Sequence, residues 1–144
     1  MSQKVLSGTL KNSSLRDTQT RRLVTLALET ICKPCSPTEI IQHIKESGAT
    51  INLTTVYRIL ETFEAHHIVH RHPCNGKYAL CAMPDAQGAH GFLHCHACGK
   101  TEEFVNADLQ RTSDRIARSS GYQPSSHVTE ILGTCITCLR LPST

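Results

Sequence analysis

Four cysteines in the second half of this chain have the spacing of a metal site. They form two Cys-x-x-Cys pairs, Cys95 with Cys98 and Cys135 with Cys138, separated by residues 99–134. One tight turn can place both thiolates of a pair on a single ion. Two pairs complete the closed, tetrahedral shell of four thiolates that is typical of a structural zinc site. Because the intervening segment is longer than in a zinc ribbon, we predict that the metal holds a small domain together.

The chain contains more soft ligands than one such site needs. It has 8 Cys and 9 His in 144 residues. Cysteine-rich chains without a secretion signal favour metal binding over a disulfide framework. No apolar run approaches the roughly 18 residues that would suggest a membrane span. We therefore expect a soluble, cytoplasmic, metal-binding protein.

Charge is distributed unevenly between the two halves. Residues 1–80 carry ten Lys and Arg against six Asp and Glu, a balance of +4. Residues 81–144 carry five against six, a balance of −1. A basic half joined to a neutral, ligand-rich half suggests a nucleic-acid-binding domain followed by a sensing or assembly domain. An imbalance of this size is also compatible with ordinary scatter.

Three short helices are predicted in the first half, after a polar arm at residues 1–14. The first runs from Arg16 to Ile31 and has an apolar face at helical spacing. Ser36 followed by Pro37 predicts the N-cap of a second helix, which ends at Gly48. A third helix follows a tight turn, so the order fits a helix-turn-helix. The residues predicted on the apolar face of the first helix are Leu23, Leu26, Ala27 and Ile31.

The third helix is predicted to begin at Asn52 or Thr54 and to be followed by a β-hairpin. Two β-like runs, residues 68–72 and 77–80, flank an Asn-Gly turn. A helix-turn-helix followed by a hairpin is a winged helix. The fold class is therefore α/β in the α+β sense, with an N-terminal winged helix and a C-terminal α/β dimerisation domain. We predict boundaries at 1–81, a hinge at 82–90, and the second domain at 91–144.

The start of the third helix carries residues suited to DNA. The hydroxyls of Thr54 and Thr55, together with the helix N-terminus, can contact phosphates. Tyr57 can contact a thymine methyl group or the backbone, and Arg58 can reach a purine edge or a phosphate. The alternative is a surface helix with a solvated arginine and a half-buried tyrosine.

The combination of motifs resembles the ferric-uptake-regulator (Fur) family of metal-responsive repressors. The likeness rests on Thr-Thr-Val-Tyr-Arg-Ile-Leu-Glu from Thr54, a Cys-x-x-Cys-Gly-x-x-x-Glu-Phe segment from Cys95, then His127 and a second Cys-x-x-Cys. It extends from about Leu15 to Cys138. The resemblance implies a homodimer that binds an inverted-repeat DNA operator when metal is bound.

Within that family, the resemblance implies a regulatory site between the wing, the hinge and the first strands of the dimerisation domain. Four residues of this chain stand in those regions: His70, Cys81, His90 and Glu103. The set is similar to that of the zinc-uptake branch, and a thiolate favours Zn²⁺ over Fe²⁺ or Mn²⁺. The expected cofactor is therefore two Zn²⁺ per monomer, one structural and one regulatory.

Other interpretations of the same residues compete with this one. Within the family the alternative is an iron or peroxide sensor, against which Cys81 argues. Outside it, Cys32 and Cys35 form a third Cys-x-x-Cys pair, as a thiol–disulfide enzyme would require, although without the expected βαβ context. Several ligand-type residues are predicted to lie outside both metal sites, and the partners expected around His127 for a third zinc are missing. Those residues are Cys74, exposed in the wing turn, His66 and His72, solvated, and His94 and His96, directed away from the cysteines.

Overall fold

The computed structural model describes residues 14–83, 86–125 and 127–141. The predicted arm at 1–14 lies almost wholly outside the described residues, as does part of the predicted hinge. The chain divides into two compact units, with the boundary between residues 84 and 85. The finer division, with a separate hinge at 82–90, stays a prediction.

The N-terminal unit consists of three helices followed by a two-stranded antiparallel sheet. Its elements are α1 (Gln19–Ile31), α2 (Pro37–Glu46), α3 (Leu53–Ala65), β1 (Val69–Arg71) and β2 (Tyr78–Leu80). Cys35 adds a further antiparallel bridge to Tyr78, with both backbone hydrogen bonds at 2.9 Å. This order of elements is that of a winged helix, as predicted.

Helix ends in this unit follow from local chemistry. Ser36 caps α2 through a complete capping box, in which its hydroxyl accepts from the amide of Glu39 and the Glu39 carboxylate accepts from the amide of Ser36. Asn52, not Thr54, caps α3, and its Oδ1 accepts from the Thr55 amide at 2.8 Å. Gly76 closes the wing turn with a positive φ of 66°, a conformation that favours glycine.

The core of the N-terminal unit lies where the three helices and the wing meet. Ile40 and Ile44 of α2 and Phe63 of α3 are fully or almost fully buried. The predicted face of α1 was partly wrong. Val24 and Leu28 are buried, whereas Leu26 is 53% exposed. The face of α1 that contacts the other helices is therefore centred on Val24 and Leu28 and leaves Leu26 outside.

The C-terminal unit is a three-stranded mixed sheet with a flanking helix. Its elements are β3 (Ala89–Cys95), β4 (Thr101–Asn106), α4 (Ala107–Ser119), β5 (Thr129–Gly133) and a short α5 (Ile136–Arg140). The strand order is β4-β3-β5, with β3 antiparallel to β4 and parallel to β5. Neither α5 nor the parallel pairing was predicted from the sequence.

Few side chains of this second unit are buried in the single chain. Among the residues that the structure describes, its buried hydrophobic residues are Ala89, Phe92 and Cys95. No helix within the described ranges combines the length and apolar character that a bilayer crossing requires.

A close approach at Gly91 provides a test of the C-terminal packing. A Cβ on Gly91 would lie 2.7 Å from Cε1 of Phe104 and nearer still to Cζ. Gly91→Ala should therefore lower the free energy of unfolding by about 1–3 kcal/mol, the usual cost of overpacking, as measured by urea unfolding of the metal-loaded protein. The control is Gly133→Ala, whose Cβ would meet nothing within 4 Å. Equal stability of the two variants would contradict the described packing.

Candidate metal centres and nucleic-acid interface

The four predicted cysteines lie together in the C-terminal unit. The Sγ atoms of Cys95, Cys98, Cys135 and Cys138 are all within 4.8 Å of one another. Cys98 and Cys135 are 3.8 Å apart at sulfur. Four thiols at these separations are arranged as a tetrahedral thiolate site for Zn²⁺ requires.

The strands and turns of this unit account for the meeting of the two pairs. Cys95 ends β3, and the chain then reverses through a turn in which the Gly99 amide donates to the Cys95 carbonyl at 2.8 Å. The parallel pairing of β5 with β3 sets Gly133 opposite Cys95. The second pair therefore begins just beyond the paired end of β5, and Cys135 is the N-cap residue of α5 without using its thiol as the cap.

Backbone amides stabilise the thiolate form of Cys95 in this cluster. The amide of Cys135 donates to Sγ of Cys95 at 3.3 Å. This hydrogen bond and one from the amide of Cys98 lower the pKa of Cys95 to about 6. Hydrogen bonding to the neighbouring Cys135 and Cys98 sulfurs raises the pKa of Cys138 to about 12. A metal ion that binds all four sulfurs must therefore displace at least one proton at neutral pH, so its affinity should fall as the pH falls.

The histidines that bracket Cys95 take other partners, as predicted. Nδ1 of His94 is 3.0 Å from the hydroxyl of Thr101. Nε2 of His96 is 3.0 Å from the hydroxyl of Thr134. Neither imidazole belongs to the four-cysteine group.

The four residues predicted for the regulatory site form two pairs, one in each unit. In the N-terminal unit, His70 lies on β1 opposite Ala79, and Cys81 follows two residues after Ala79. The Cys81 amide donates to the carbonyl of Ile68 at 2.9 Å, which extends the hairpin pairing to this position. His70 and Cys81 are thus diagonal neighbours on one face of the wing, with ligand atoms within 4.8 Å.

The pair in the C-terminal unit has the same construction. His90 on β3 lies opposite Val105 on β4, and Glu103 is two residues from Val105. Nδ1 of His90 is 2.6 Å from Oε1 of Glu103, and their side chains are only 15% and 5% exposed. A carboxylate in contact with an imidazole is common around bound zinc, where it either ligates the ion or orients the histidine.

One histidine departs from its predicted environment. His72, expected to be solvated, is 1% exposed. It follows β1 on the same side as His70, and its backbone pairs with Lys77 and Gly76 at the base of the wing turn.

The third Cys-x-x-Cys pair contains one thiol that is unsuited to nucleophilic attack. Cys35 is fully buried, and burial raises the pKa of its thiol to about 11. Cys32 is exposed at the C-cap of α1, where its thiol donates to the Glu29 carbonyl. A thiol that stays protonated at neutral pH is a poor nucleophile.

His127 pairs with a single acid. Its Nε2 is 2.8 Å from Oδ1 of Asp114 on α4, and the side chains are 18% and 31% exposed. Among the described residues, this pair does not belong to a group of three or more ligand-type side chains. The pair was not predicted, since His and Asp 13 positions apart carry no sequence signal.

The residues that were predicted to contact DNA lie in the first two turns of α3. Its other face packs into the core through Val56 and Phe63. Thr54 and Arg58 are exposed, and Tyr57 is 44% exposed. Thr55 is half-buried. Its amide is already used by the cap of the helix, so Thr55 can offer a phosphate only its hydroxyl.

Comparison with known proteins identifies the family. The model of the Ferric uptake regulator family matches residues 12–132. The ferric uptake regulation protein of Legionella pneumophila is 32% identical over 133 residues, which cover 92% of this chain and 97% of that protein. The zinc uptake regulation protein of Mycobacterium tuberculosis strain H37Rv is 30% identical, with coverage of 88% and 96%.

Solved structures show the same fold. The holo form of XcZur has a TM-score of 0.80 at 26% identity and covers 91% of this chain and 92% of its own. A zinc uptake regulator in complex with zinc and DNA also gives 0.80, at 20% identity, with coverage of 93% and 90%. The ferric uptake regulator of Francisella tularensis with iron gives 0.59 at 25% identity, with coverage of 91% and 99%.

The match with the family model spans most of the chain, and curated relatives align over nearly their whole length. These relatives have names from both the iron and the zinc branches, so the names do not decide the metal. The chain belongs to the ferric uptake regulator family and is a metal-responsive, DNA-binding transcriptional regulator, not an enzyme.

Proposed function

We propose that this regulator is a zinc-responsive repressor of zinc-uptake and zinc-homeostasis genes. In this proposal, zinc bound by His70, Cys81, His90 and Glu103 strengthens binding to the operator. The observation that carries the proposal is the donor set, which is one thiolate, two imidazoles and one carboxylate. Such a mixed set suits four-coordinate Zn²⁺.

The thiolate of Cys81 supports zinc over iron. Sites for Fe²⁺ and Mn²⁺ are usually built from imidazoles and carboxylates with more than four ligands, whereas a thiolate favours a softer ion. The wing pair contributes one nitrogen and one sulfur, and the β3–β4 pair contributes one nitrogen and one oxygen. Together they would supply the four ligands of a tetrahedral Zn²⁺ ion, without an open position for peroxide chemistry.

The proposed switch rests on where the ligands come from. Each pair is held by its own hairpin, and the two hairpins belong to different compact units. An ion that takes ligands from both pairs would restrict the freedom of the units relative to each other. Zinc would then favour the arrangement that fits DNA by the difference in its affinity for the competing arrangements. The four cysteines lie within one unit, so their occupancy cannot report on this freedom.

A second zinc, at the cysteines, is proposed as structural. The C-terminal unit buries few side chains and lacks the core that a unit of its size needs without a metal or a partner. Apparent binding energies of structural zinc are of the order of 10 kcal/mol or more in zinc fingers. The expected stoichiometry is two Zn²⁺ per chain.

The small hydrophobic core of the C-terminal unit also supports a homodimer. The apolar side chains of β5 and α5 are extensively exposed in the single chain, Ile131 at 53%, Leu132 at 61% and Leu139 at 65%. An exposed apolar surface of this kind marks an interface in soluble proteins. A two-fold dimer would present two α3 helices to an inverted repeat, since operator symmetry mirrors protein symmetry.

Removing one structural ligand should unfold the C-terminal unit. We expect Cys95→Ser to lose the zinc of the cysteine cluster and to become monomeric or insoluble, because three ligands leave the site incomplete. Zinc per chain is measured by elemental analysis, and the oligomeric state by light scattering. Cys32→Ser, an exposed cysteine outside the cluster, is the control and should behave as wild type. A soluble, fully zinc-loaded Cys95→Ser dimer would refute the structural role.

Removing the thiolate of the regulatory set should uncouple zinc from DNA. We expect Cys81→Ser to fold, to keep one zinc per chain instead of two, and to bind the operator about 5- to 150-fold more weakly, the usual range of an allosteric coupling. The operator is a duplex selected from random-sequence DNA by the zinc-loaded wild-type protein. Binding is measured by fluorescence anisotropy with zinc buffered at fixed free concentrations.

Cys74→Ser is the matched control, because Cys74 is an exposed cysteine in the turn of the same wing. It should retain two zincs and normal affinity. If Cys81→Ser also retains two zincs and normal operator affinity, the regulatory site lies elsewhere.

Loss of Arg58 should weaken DNA binding without affecting the metal sites. We expect Arg58→Ala to lose about 1–3 kcal/mol of operator binding if it reads a purine edge. If it contacts a phosphate, the loss should be uniform across sequences, with a shallower salt dependence. Arg115→Ala removes the same charge from an exposed position on α4 and should leave affinity unchanged. Unchanged affinity of Arg58→Ala would place the DNA contact outside α3.

A further inference from the structure

One exposed apolar side chain at the start of α3 is not accounted for by the contacts proposed so far. Leu53, the first residue of the helix, is 45% exposed. Tyr57, one turn later, is 44% exposed. Residues four apart lie one above the other on a helix, so the two side chains form one apolar row. In the described part of the N-terminal unit, the only other large apolar side chain with comparable exposure is Leu26.

The row sits beside a polar one. Thr54 and Arg58 are also four residues apart, both are exposed, and they run along the neighbouring edge of the same surface. The helix thus presents a polar row beside a largely apolar one, in which Leu53 has no hydrogen-bonding group and Tyr57 has only its hydroxyl. Asn52 fixes the position of the first turn through its bond to the Thr55 amide, so Leu53 sits on an ordered end of the helix.

The chemistry of Leu53 points to one feature of DNA. Its side chain offers only apolar contact, and the thymine 5-methyl group is the apolar feature that the major groove presents. In helix-turn-helix proteins the N-terminal residues of the recognition helix are those that meet base edges. Side chains on a helix also lean toward its N-terminus, which directs Leu53 further toward that end.

We infer that Leu53 is a specificity-determining residue that reads a thymine methyl group in each operator half-site, next to the base contacted by Tyr57. The inference rests on the proposed function of α3 in DNA binding. It adds a discrimination that the Arg58 guanidinium cannot supply, because a hydrogen bond to a base edge does not detect a methyl group. A base without that methyl at this position should be bound less well.

Replacing thymine with uracil, one position at a time, tests this directly. The probe is the duplex selected from random-sequence DNA by the zinc-loaded full-length chain, and each thymine is exchanged in turn for deoxyuridine, which removes only the methyl group. For the wild type we expect a loss of about fourfold in affinity at the Leu53 position, the equivalent of one buried methyl group. Leu53→Ala should bind the thymine duplex more weakly and show no further loss with uracil at that position.

Three variants separate this effect from a general defect. Leu53→Met keeps an apolar side chain and should retain the sensitivity to uracil. Leu26→Ala removes an exposed leucine from α1 and should leave the whole uracil profile unchanged. Tyr57→Ala should abolish sensitivity at a neighbouring thymine and not at the Leu53 position. Zinc content and helix content by circular dichroism, equal to wild type, show that Leu53→Ala is folded.

The outcomes distinguish the inference from the function on which it rests. If Leu53→Ala has the same uracil profile as wild type, or if every sensitive thymine responds to Tyr57 alone, the inference is overturned while DNA binding through α3 stands. If the zinc-loaded chain selects no specific sequence, the proposed function fails and this inference fails with it.

Discussion

The parallel pairing of β5 with β3 is the interaction on which the C-terminal unit depends. It sets Gly133 beside Cys95 and so delivers the second cysteine pair to the first. Without it, the two Cys-x-x-Cys turns would be separate bidentate fragments. The dependence also runs the other way. A short parallel pairing with few buried side chains is weak by itself, and an ion held by all four sulfurs would fix its end.

The two proposed metal sites would have separate tasks, one stabilising the C-terminal unit and the other responding to the concentration of metal. The cysteine cluster is closed, lies in one unit, and has amide donors already directed at Cys95. Such a site is suited to permanent occupancy. The His70/Cys81 pair and the His90/Glu103 pair are built differently, as diagonal cross-strand pairs that each lie within one hairpin. Each pair offers two ligands, fewer than a closed zinc site requires. The sensing role proposed for these four residues would therefore require one ion to bind both pairs.

Local chemistry made much of the fold predictable. The capping box at Ser36 and the Asn-Gly turn of the wing are short-range signals, and both appear in the structure where the sequence placed them. The cysteine cluster was predictable because two Cys-x-x-Cys pairs in a chain without a secretion signal are typical of metal binding. Failures arose where long-range packing decides. Leu26 fits a helical apolar face but is exposed, since the contact face of α1 is chosen by its neighbours. His72 is polar and follows a strand at the wing turn, yet it is buried, which no local pattern signals.

Two features of the C-terminal unit, the parallel strand pairing and α5, had no local sequence signal. The parallel pairing joins β3 to a strand that follows only after β4 and α4, and α5 is a short helix without a side-chain cap. The diagonal pairs are intermediate: the ligand types were evident, yet their residues are scattered through two hairpins. Only the register of each hairpin shows that His70 stands near Cys81 and His90 near Glu103.

We expect the identity of the regulatory metal to depend on a single side chain, that of Cys81, more than on the family. Relatives with iron and zinc names align at similar identity, 32% and 30%, since the winged helix and the mixed sheet serve both. The cysteine cluster does not distinguish a zinc-responsive from an iron-responsive regulator, because four thiolates would exclude hard ions in both. Replacing Cys81 with an oxygen or nitrogen donor would leave a harder ligand set that iron or manganese could occupy. With the thiolate present, we expect the same ligands to favour zinc. The selectivity of the regulator is therefore expected to lie at the end of the wing, one residue beyond β2.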